Sequence, residues 1–143
     1  MINRFTIILA ILGIFIFRPV SAQLEVNVRS SEFKVAKTGF SEAWKHIKEG
    51  DRLARKGKGG LPFALNEYLA AYTYNSENAE LNYKVGICLL STDKKRDAII
   101  YLNKAYFQNP QIIPGIHFLL ARAYHYNLEF DNATKEYELY YQS

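Results

Sequence analysis

Apolar and polar residues alternate with the period of an α-helix along most of the chain from residue 41 onward. Clusters of turn-forming residues, such as residues 57–60, divide this pattern into six segments. At the start of the first segment Ser41 is a candidate N-cap, and Pro62 suits the first turn of the second. The pattern therefore predicts an all-α fold. The predicted helices are about 41–56, 62–74, 79–90, 94–108, 114–126 and 131–143.

Three alanines begin the same pattern in the second helix of successive predicted pairs, at shifts of 34 and 35 residues. A second residue follows each alanine after four positions, and a third follows three positions later. The copies are Ala64, Tyr68 and Ala71; Ala98, Leu102 and Ala105; and Ala133, Tyr137 and Tyr140. A period near 34 that is built from helical pairs is the sequence signature of tetratricopeptide repeats. The chain therefore resembles this class of helical repeat protein.

Small residues at a fixed spacing indicate how the two helices of a hairpin pack. Gly86 precedes Ala98 by 12 residues, and Ala121 precedes Ala133 by 12. Because protein interiors are densely packed, a bulky residue at any of these positions would push the helices apart. The resemblance implies three such hairpins in a right-handed superhelix, within a domain at 40–143. Its repeats lie at about 43–78, 79–113 and 114–143.

The first 22 residues have the organisation of a secretory signal peptide. Arg4 precedes an apolar run at residues 5–17, and small residues at Val20 and Ala22 predict cleavage after Ala22. At about 1.5 Å per residue, a helix of this run is much shorter than the ~30 Å hydrocarbon core of a bilayer. An uncleaved signal anchor is the alternative. We interpret residues 23–39 as a linker or N-terminal arm, with a short strand at about 24–28.

The charge balance becomes nearly even once the predicted leader is set aside. The sequence carries 18 Lys and Arg against 14 Asp and Glu, and Arg4 and Arg18 lie in the leader. The remaining 16 basic residues leave a net charge of +2. A nucleic-acid partner needs a stronger and more one-sided positive surface, so none is predicted. The single cysteine, Cys88, cannot form an internal disulfide and lies in an apolar stretch typical of a buried thiol.

No residue pattern in the sequence predicts catalysis, a cofactor or a metal ion. Residues 56–60 are glycine-rich and basic, but they lack the spacing of a phosphate-binding loop and do not follow a predicted strand. His117 and His125 lie on one predicted helix about 12 Å apart along its axis, which is too far to bind one metal ion. We therefore interpret the chain as a non-enzymatic protein. An accessory subunit of an enzyme is the alternative.

In tetratricopeptide proteins the first helix of each pair lines a concave groove, and the family's groove positions carry over to this sequence. They fall on Trp44, Ile47, Asp51, Glu80, Tyr83, Ile87, Leu90, Phe118, Arg122, His125 and Tyr126. Aromatic side chains suit binding, because they offer a large contact area, and tyrosine adds a polar group. We expect a charge at Tyr83 or Phe118 to abolish partner binding while the fold stays intact. The predicted partner is another protein or an extended peptide.

The chaperone-binding members of this class hold a C-terminal carboxylate with lysine and asparagine side chains. The corresponding residues of this sequence are Ile47, Asp51, Lys84, Gly115 and Leu119. The clamp is therefore absent, and the resemblance does not imply chaperone binding.

Three stretches resemble a particular subgroup: HIKEGD at 46–51, NAELNYKVG at 78–86 and AYHYNLEFD at 123–131. They are similar to the N-terminal repeat region of exported, OmpA-family envelope proteins of Bacteroidota. In those proteins β-propeller-type repeats and a peptidoglycan-binding domain follow. The resemblance covers 40–143 and implies a protein–protein interaction scaffold that is periplasmic or outer-membrane associated, with another envelope protein or an extended peptide as partner. Contact with the outer membrane or peptidoglycan is implied only through domains outside these 143 residues.

Two alternatives to this function stay open at the level of the sequence. In the first alternative the chain is an accessory subunit of an envelope enzyme. In the second it is a structural part that an uncleaved signal anchor holds in the membrane. N-terminal sequencing of the exported protein separates the anchored form from the cleaved form, which would begin at Gln23.

Overall fold

Helices make up most of residues 26–142, the part of the chain that this computed structural model describes. The seven helices in this range are α1 (Ser30–Phe33), α2 (Phe40–Ala54), α3 (Leu61–Tyr72), α4 (Ala79–Leu90), α5 (Ala98–Gln108), α6 (Ile116–Tyr126) and α7 (Phe130–Gln142). No strand occurs between residues 26 and 142, so the predicted all-α class is confirmed for that range. The predicted signal peptide at 1–22 lies outside the described residues. Of the strand predicted at 24–28, residues 26–28 are described and have no regular secondary structure.

The ends of the helices follow local backbone chemistry. α4 has the bounds that the sequence predicts, and the side chain of Asn78 caps it by accepting a hydrogen bond from the backbone N–H of Leu81 at 2.8 Å. α3 carries Pro62 in its first turn, as predicted. α5 begins at Ala98 rather than near residue 94, because Lys95–Asp97 form a 3₁₀ turn ahead of it.

The predicted N-cap of the first long helix is wrong. α2 begins at Phe40, one residue before Ser41, and its N-cap is Gly39. Gly39 has φ of 83°, a left-handed conformation that glycine adopts at little steric cost. The backbone N–H of Ala43 then donates to the carbonyl of Gly39 at 3.0 Å, so no side-chain cap takes part at this end.

Neighbouring helices pack in pairs. α2 packs on α3, α4 on α5 and α6 on α7, and the pairs join through α3 against α4 and α5 against α6. All twelve residues of α4 are buried, and they include the polar residues Glu80, Asn82 and Lys84. Burying a polar group without a partner is costly, and Lys84 is paired with Asp51. Nδ2 of Asn82 donates to the carbonyls of Ser76 and Asn78, whereas its buried Oδ1 has no hydrogen-bond partner among the described residues.

The predicted close approach of paired helices at small residues is confirmed. A Cβ atom on Gly50 would lie 2.5 Å from Cε1 of Tyr68, which is closer than carbon atoms can approach. In the next pair Gly86 faces a side chain of α5 in the same way. In the third pair Ala121 and Ala133 are both buried. The absence of a larger side chain at these positions sets the distance between the helices.

Residues 26–36, which we call the arm, pack against the first helix pair. Val28 and Phe33 are buried and belong to the same core cluster as the residues of α2 and α3. Phe33 closes the short helix α1. The arm is therefore part of the folded domain and lies beside two of the predicted groove positions.

Candidate functional site

The eleven predicted groove residues do not share one open surface. Tyr83, Ile87 and Leu90 are buried because α4 packs between α3 and α5, and Ile47 of α2 is buried in the same core. The prediction that these four residues line an accessible groove is therefore wrong. Tyr83 is 0% exposed, and burial raises the pKa of its hydroxyl, so a charge placed there would disturb the fold as well as any binding. Of the other seven, some lie in the cleft that holds the arm, one in a buried polar cluster and the rest on the third helix pair.

The arm fills a cleft that we call the arm cleft. Its lining residues are Phe40, Trp44, Tyr74, Asn75 and Glu80. The ring of Phe33 enters it, with centroid distances of 6.1 Å to Trp44 and 5.2 Å to Tyr74. Phe40 and Trp44 stack with an interplanar angle of 16°. These spacings fall in the range over which aromatic rings attract one another, so the cleft is an aromatic pocket for one phenyl ring.

Two side chains of the arm cleft bind the backbone of the arm. The amide of Asn75 donates from Nδ2 to the carbonyl of Phe33 at 2.9 Å. The hydroxyl of Tyr74 accepts from the backbone N–H of Ala36 at 2.8 Å and donates to the carbonyl of the same residue. Main-chain atoms are common to every sequence, so these contacts fix the position of the arm without selecting its side chains.

The arm cleft also has an acidic end. Arg29 of the arm lies 3.8 Å from Glu80, a predicted groove residue in the first turn of α4. Arg29 also pairs with Glu32 at 2.8 Å. Because Glu80 is nearly buried, a cation is favoured beside it. The predicted groove residues Trp44 and Glu80 thus contact the protein's own arm.

A buried polar cluster joins the first two helix pairs. Asp51, predicted as a groove residue, accepts hydrogen bonds from Lys84 Nζ and from the hydroxyl of Tyr68, both at 2.8 Å. The side chain of Lys84 is only 2% exposed, whereas that of Asp51 is 25% exposed. The ammonium group also lies 5.6 Å from the ring centroid of Tyr68. The three side chains therefore link α2, α3 and α4 through one carboxylate.

Cys88 lies beside this polar cluster, and the predicted burial of its thiol is confirmed. Burial raises the pKa of the Cys88 thiol to about 12, while Lys84 lowers it and Asp51 raises it. Since the thiolate is the reactive form, the protonated thiol at neutral pH is unreactive. Burial, followed by the charge of Asp51, likewise raises the pKa of Tyr68. Both groups are held in the neutral form.

The third helix pair presents an exposed surface that we call the aromatic face. Its residues are Phe118, Arg122, His125, Tyr126, Tyr137 and Tyr140. The ring of Phe118 lies 5.4 Å from that of Tyr140, and the guanidinium of Arg122 lies 5.9 Å from the centre of the Phe118 ring. Four of the predicted groove residues are thus together on one partly exposed face of α6. An arginine over an aromatic ring is a common element of protein-binding surfaces.

Two of the three histidines pair with a carboxylate on the other helix of their helix pair. His46 Nδ1 lies 2.7 Å from Glu67, and His117 Nδ1 lies 2.7 Å from Glu136. Within residues 26–142 no group of three His, Cys, Asp or Glu side chains is placed to hold a metal ion. No helix in that range is both long and apolar enough to cross a membrane.

Sequence reasoning missed the residues that hold the arm. Phe33 and Asn75 lie in segments interpreted as a linker and a turn, where no helical period marks a buried side chain, and Tyr74 is only the last residue of the helix predicted at 62–74. Lys84 was recognised only as part of an incomplete clamp, although it forms the buried ion pair with Asp51. The apolar residues Val26, Val28 and Phe33, which polar residues separate, are the one signal that could have indicated a packed arm.

Comparison with known proteins adds no relative. No family model matches the chain, and searches of curated proteins and of solved structures give no significant match. The resemblance to tetratricopeptide repeats and to OmpA-family envelope proteins therefore stays a prediction that rests on residues of this sequence.

Proposed function

We propose that this chain is a non-enzymatic protein–protein interaction scaffold of the tetratricopeptide type, exported to the bacterial periplasm. Three successive helix pairs and the close approaches at Gly50 and Gly86 support the repeat arrangement. The leader-like sequence at 1–22 supports export. Association with the outer membrane or peptidoglycan would come through other domains. Its partner is another envelope protein or an extended peptide.

The observation that carries the proposal is the aromatic face of the third helix pair. Tyrosine and arginine are among the residue types that most often dominate binding energy at protein interfaces, and phenylalanine is enriched there. Here Arg122 lies over Phe118, and Lys95 lies 5.1 Å from the ring centre of Tyr126. These rigid rings beside cations favour a partner segment that carries apolar groups together with a carboxylate.

Cross-linking in intact envelopes, followed by affinity capture of the tagged chain, tests the proposal. The chain with Arg122→Glu and Tyr126→Asp should capture at least tenfold less of the partner that the unchanged chain captures. Both side chains are at least partly exposed, so circular dichroism should show unchanged helicity. Equal capture by the two proteins would contradict binding at the aromatic face.

The matched control carries the same kinds of change elsewhere on the surface. Arg55 after α2 is exposed, and Phe107 on α5 is 84% exposed. The chain with Arg55→Glu and Phe107→Asp should capture as much partner as the unchanged chain. Loss of capture in the control as well would indicate a general effect of charge. N-terminal sequencing of the exported protein tests the leader, since a first residue of Gln23 means cleavage.

A further inference from the structure

We propose that the arm is a tethered and displaceable ligand, and that the arm cleft is a second binding site, for a partner segment with a basic residue four positions before an aromatic one. This inference rests on the proposed function, because it assumes that the chain binds a protein partner. It adds a site that lies on the first helix pair, whereas the aromatic face lies on the third. The arm then regulates that site by occupying it.

The arm cleft recognises the arm in the way that proteins recognise peptides. Asn75 and Tyr74 bind main-chain atoms, which supplies sequence-independent contacts. The aromatic pocket takes a single ring, that of Phe33, and such an anchor in a pocket supplies most of the selectivity. Glu80 adds a charge contact to Arg29, four residues before the anchor. A competing segment therefore needs an aromatic side chain for the pocket, a cation for Glu80 and main-chain atoms that Asn75 and Tyr74 can bind.

Outside the buried side chains of Val28 and Phe33 the arm is mostly exposed, which makes displacement feasible. α1 is only four residues long, and a single helical turn is not stable by itself in water. Arg29 is largely exposed, and its 3.8 Å contact with Glu80 is a weak ion pair. Residues 34–36 of the arm and residues 37–39, which connect it to α2, are all exposed. Segments with few buried contacts open locally at a lower free energy than the whole fold.

Tethering explains why the site would stay closed until a suitable partner is present. A short linker holds its ligand at an effective concentration of the order of millimolar. A free segment of the same affinity therefore competes poorly with the arm, and a segment with a better anchor or an additional contact at the aromatic face competes well. The arm therefore excludes weakly binding segments from the arm cleft and gives way to segments that bind more tightly.

Binding of a labelled peptide to the whole chain tests the inference. The probe is a fluorescent peptide with the sequence of residues 26–36, and its anisotropy reports binding. The chain with Phe33→Ala, whose arm has lost its anchor, should bind the probe at least tenfold more tightly than the unchanged chain. A probe in which Phe33 is replaced by alanine should not bind either protein. Equal affinity of the two chains for the probe would overturn the proposal.

The control variant is Val35→Ala, which changes an exposed apolar residue of the same arm. Its affinity for the probe should equal that of the unchanged chain. Exchange of arms between two copies is a different outcome, visible as a dimer in size-exclusion chromatography whose fraction rises with concentration. Such a dimer of the unchanged chain would overturn the proposal of an intramolecular ligand.

Hydrogen exchange of the unchanged chain keeps the test decisive if Phe33→Ala fails to fold. The backbone N–H of Ala36 donates to Tyr74, whereas amides in the middle of α4 are protected by the whole core. After correction for the intrinsic exchange rate of each amide, the amide of Ala36 should exchange at least a hundredfold faster than that of Cys88. Equal protection would show that the arm opens only with global unfolding and would overturn the proposal. Neither result affects the proposed function, because capture of the partner from envelopes depends on the aromatic face and not on the arm.

Discussion

A Cβ atom built on Gly86 would lie 2.6 Å from Cγ of Leu102 and 2.7 Å from its Cδ2. Gly86 is in the middle of α4, and Leu102 is a buried residue of α5. Gly50 and Tyr68 have the same relationship in the first helix pair. In the first two pairs the second helix thus places a large side chain against a glycine of the first helix, which lets the two helices approach closely.

Replacing Gly86 with alanine should destabilise the protein. Overpacking of a core costs about 1–3 kcal/mol, and the better helix propensity of alanine returns up to about 1 kcal/mol. We expect a net loss of about 1–2 kcal/mol in the free energy of unfolding, measured by urea denaturation. Gly59→Ala is the control, because a Cβ there meets nothing within 4 Å. Equal stability of the two variants would show that α5 moves away freely.

The sequence predicts this close approach because it depends on local spacing. Gly86 and Leu102 lie on consecutive helices, and the short connection between α4 and α5 brings the two helices together whatever the rest of the chain does. The bounds of α4 are predictable for a similar reason, since Asn78 caps the helix through a neighbouring backbone N–H. Features that depend on residues close together in the chain can thus be predicted from the sequence.

Features that depend on distant parts of the chain could not be predicted in this way. Tyr83 was expected in an open groove, but its burial depends on how whole helices pack around α4. Lys84 is paired with a carboxylate 33 positions earlier, and Asn75 binds a carbonyl 42 positions earlier. Neither pairing leaves a periodic signal in the sequence. The choice of Gly39 over Ser41 as a cap follows from a backbone angle that no side-chain pattern specifies.

The buried ion pair between Lys84 and Asp51 should contribute to stability only as an intact unit. Removing one partner of a buried pair costs about 3–5 kcal/mol, because the other charge is left without compensation. Asp51 keeps a quarter of its side-chain exposure and can regain some water, so we expect Lys84→Met to cost about 2–3 kcal/mol. Urea denaturation of Lys84→Met, Asp51→Asn and the double variant gives the coupling energy.

The control for this pair is the ion pair of Lys104 and Glu77 at the surface. Glu77 is mostly exposed, and such pairs contribute about 0–1 kcal/mol. Lys104→Met should therefore change stability by less than about 1 kcal/mol. If Lys84→Met were no more costly than Lys104→Met, Asp51 would be hydrated well enough not to need the lysine.

Stability should fall as pH rises above about 9. The pKa of Cys88 is raised by burial from an ordinary value of 9.0 to about 12, so the native state holds this proton when the unfolded chain has released it. The stabilising contribution is complete below pH 9.0 and is lost progressively as pH rises toward the native pKa. Each such proton makes the free energy of unfolding fall by about 1.4 kcal/mol per pH unit. Tyr68 and Tyr83, whose pKa values burial also raises, add to the fall above pH 10.0.

The contribution of Cys88 can be isolated between pH 9 and pH 10. Over that interval the unchanged chain should lose up to about 1.4 kcal/mol more than Cys88→Ala, because the alanine variant has no thiol to ionise. The measurement is urea denaturation at pH 8, 9 and 10 with a reducing agent present. Parallel curves for the two proteins would mean that the thiol of Cys88 ionises equally in the folded and unfolded states.

Histidine–carboxylate pairs recur at the same position of the first and third helix pairs. His46 lies four residues before Gly50, and His117 lies four residues before Ala121. Their partners, Glu67 and Glu136, lie on the second helix of the respective pair. In the third pair both side chains are 19% exposed, whereas in the first pair they are 34% and 30% exposed. The two pairs therefore have the same geometry in surroundings of different hydration.

The less hydrated pair should be the stronger one. Exposed ion pairs contribute about 0.2–1 kcal/mol, and hydrogen bonds to charged groups that are shielded from water contribute about 1.5–3 kcal/mol. In double-mutant cycles with alanine at pH 7, we expect a coupling energy of about 1–2 kcal/mol for His117 with Glu136 and under about 1 kcal/mol for His46 with Glu67. The reference is Lys45 with Glu42, an exposed pair within α2, which should couple by no more than about 0.5 kcal/mol. A coupling energy for His117 and Glu136 as small as that of the reference would mean that their contact does not fasten α6 to α7, and that apolar packing between the two helices holds the third pair together.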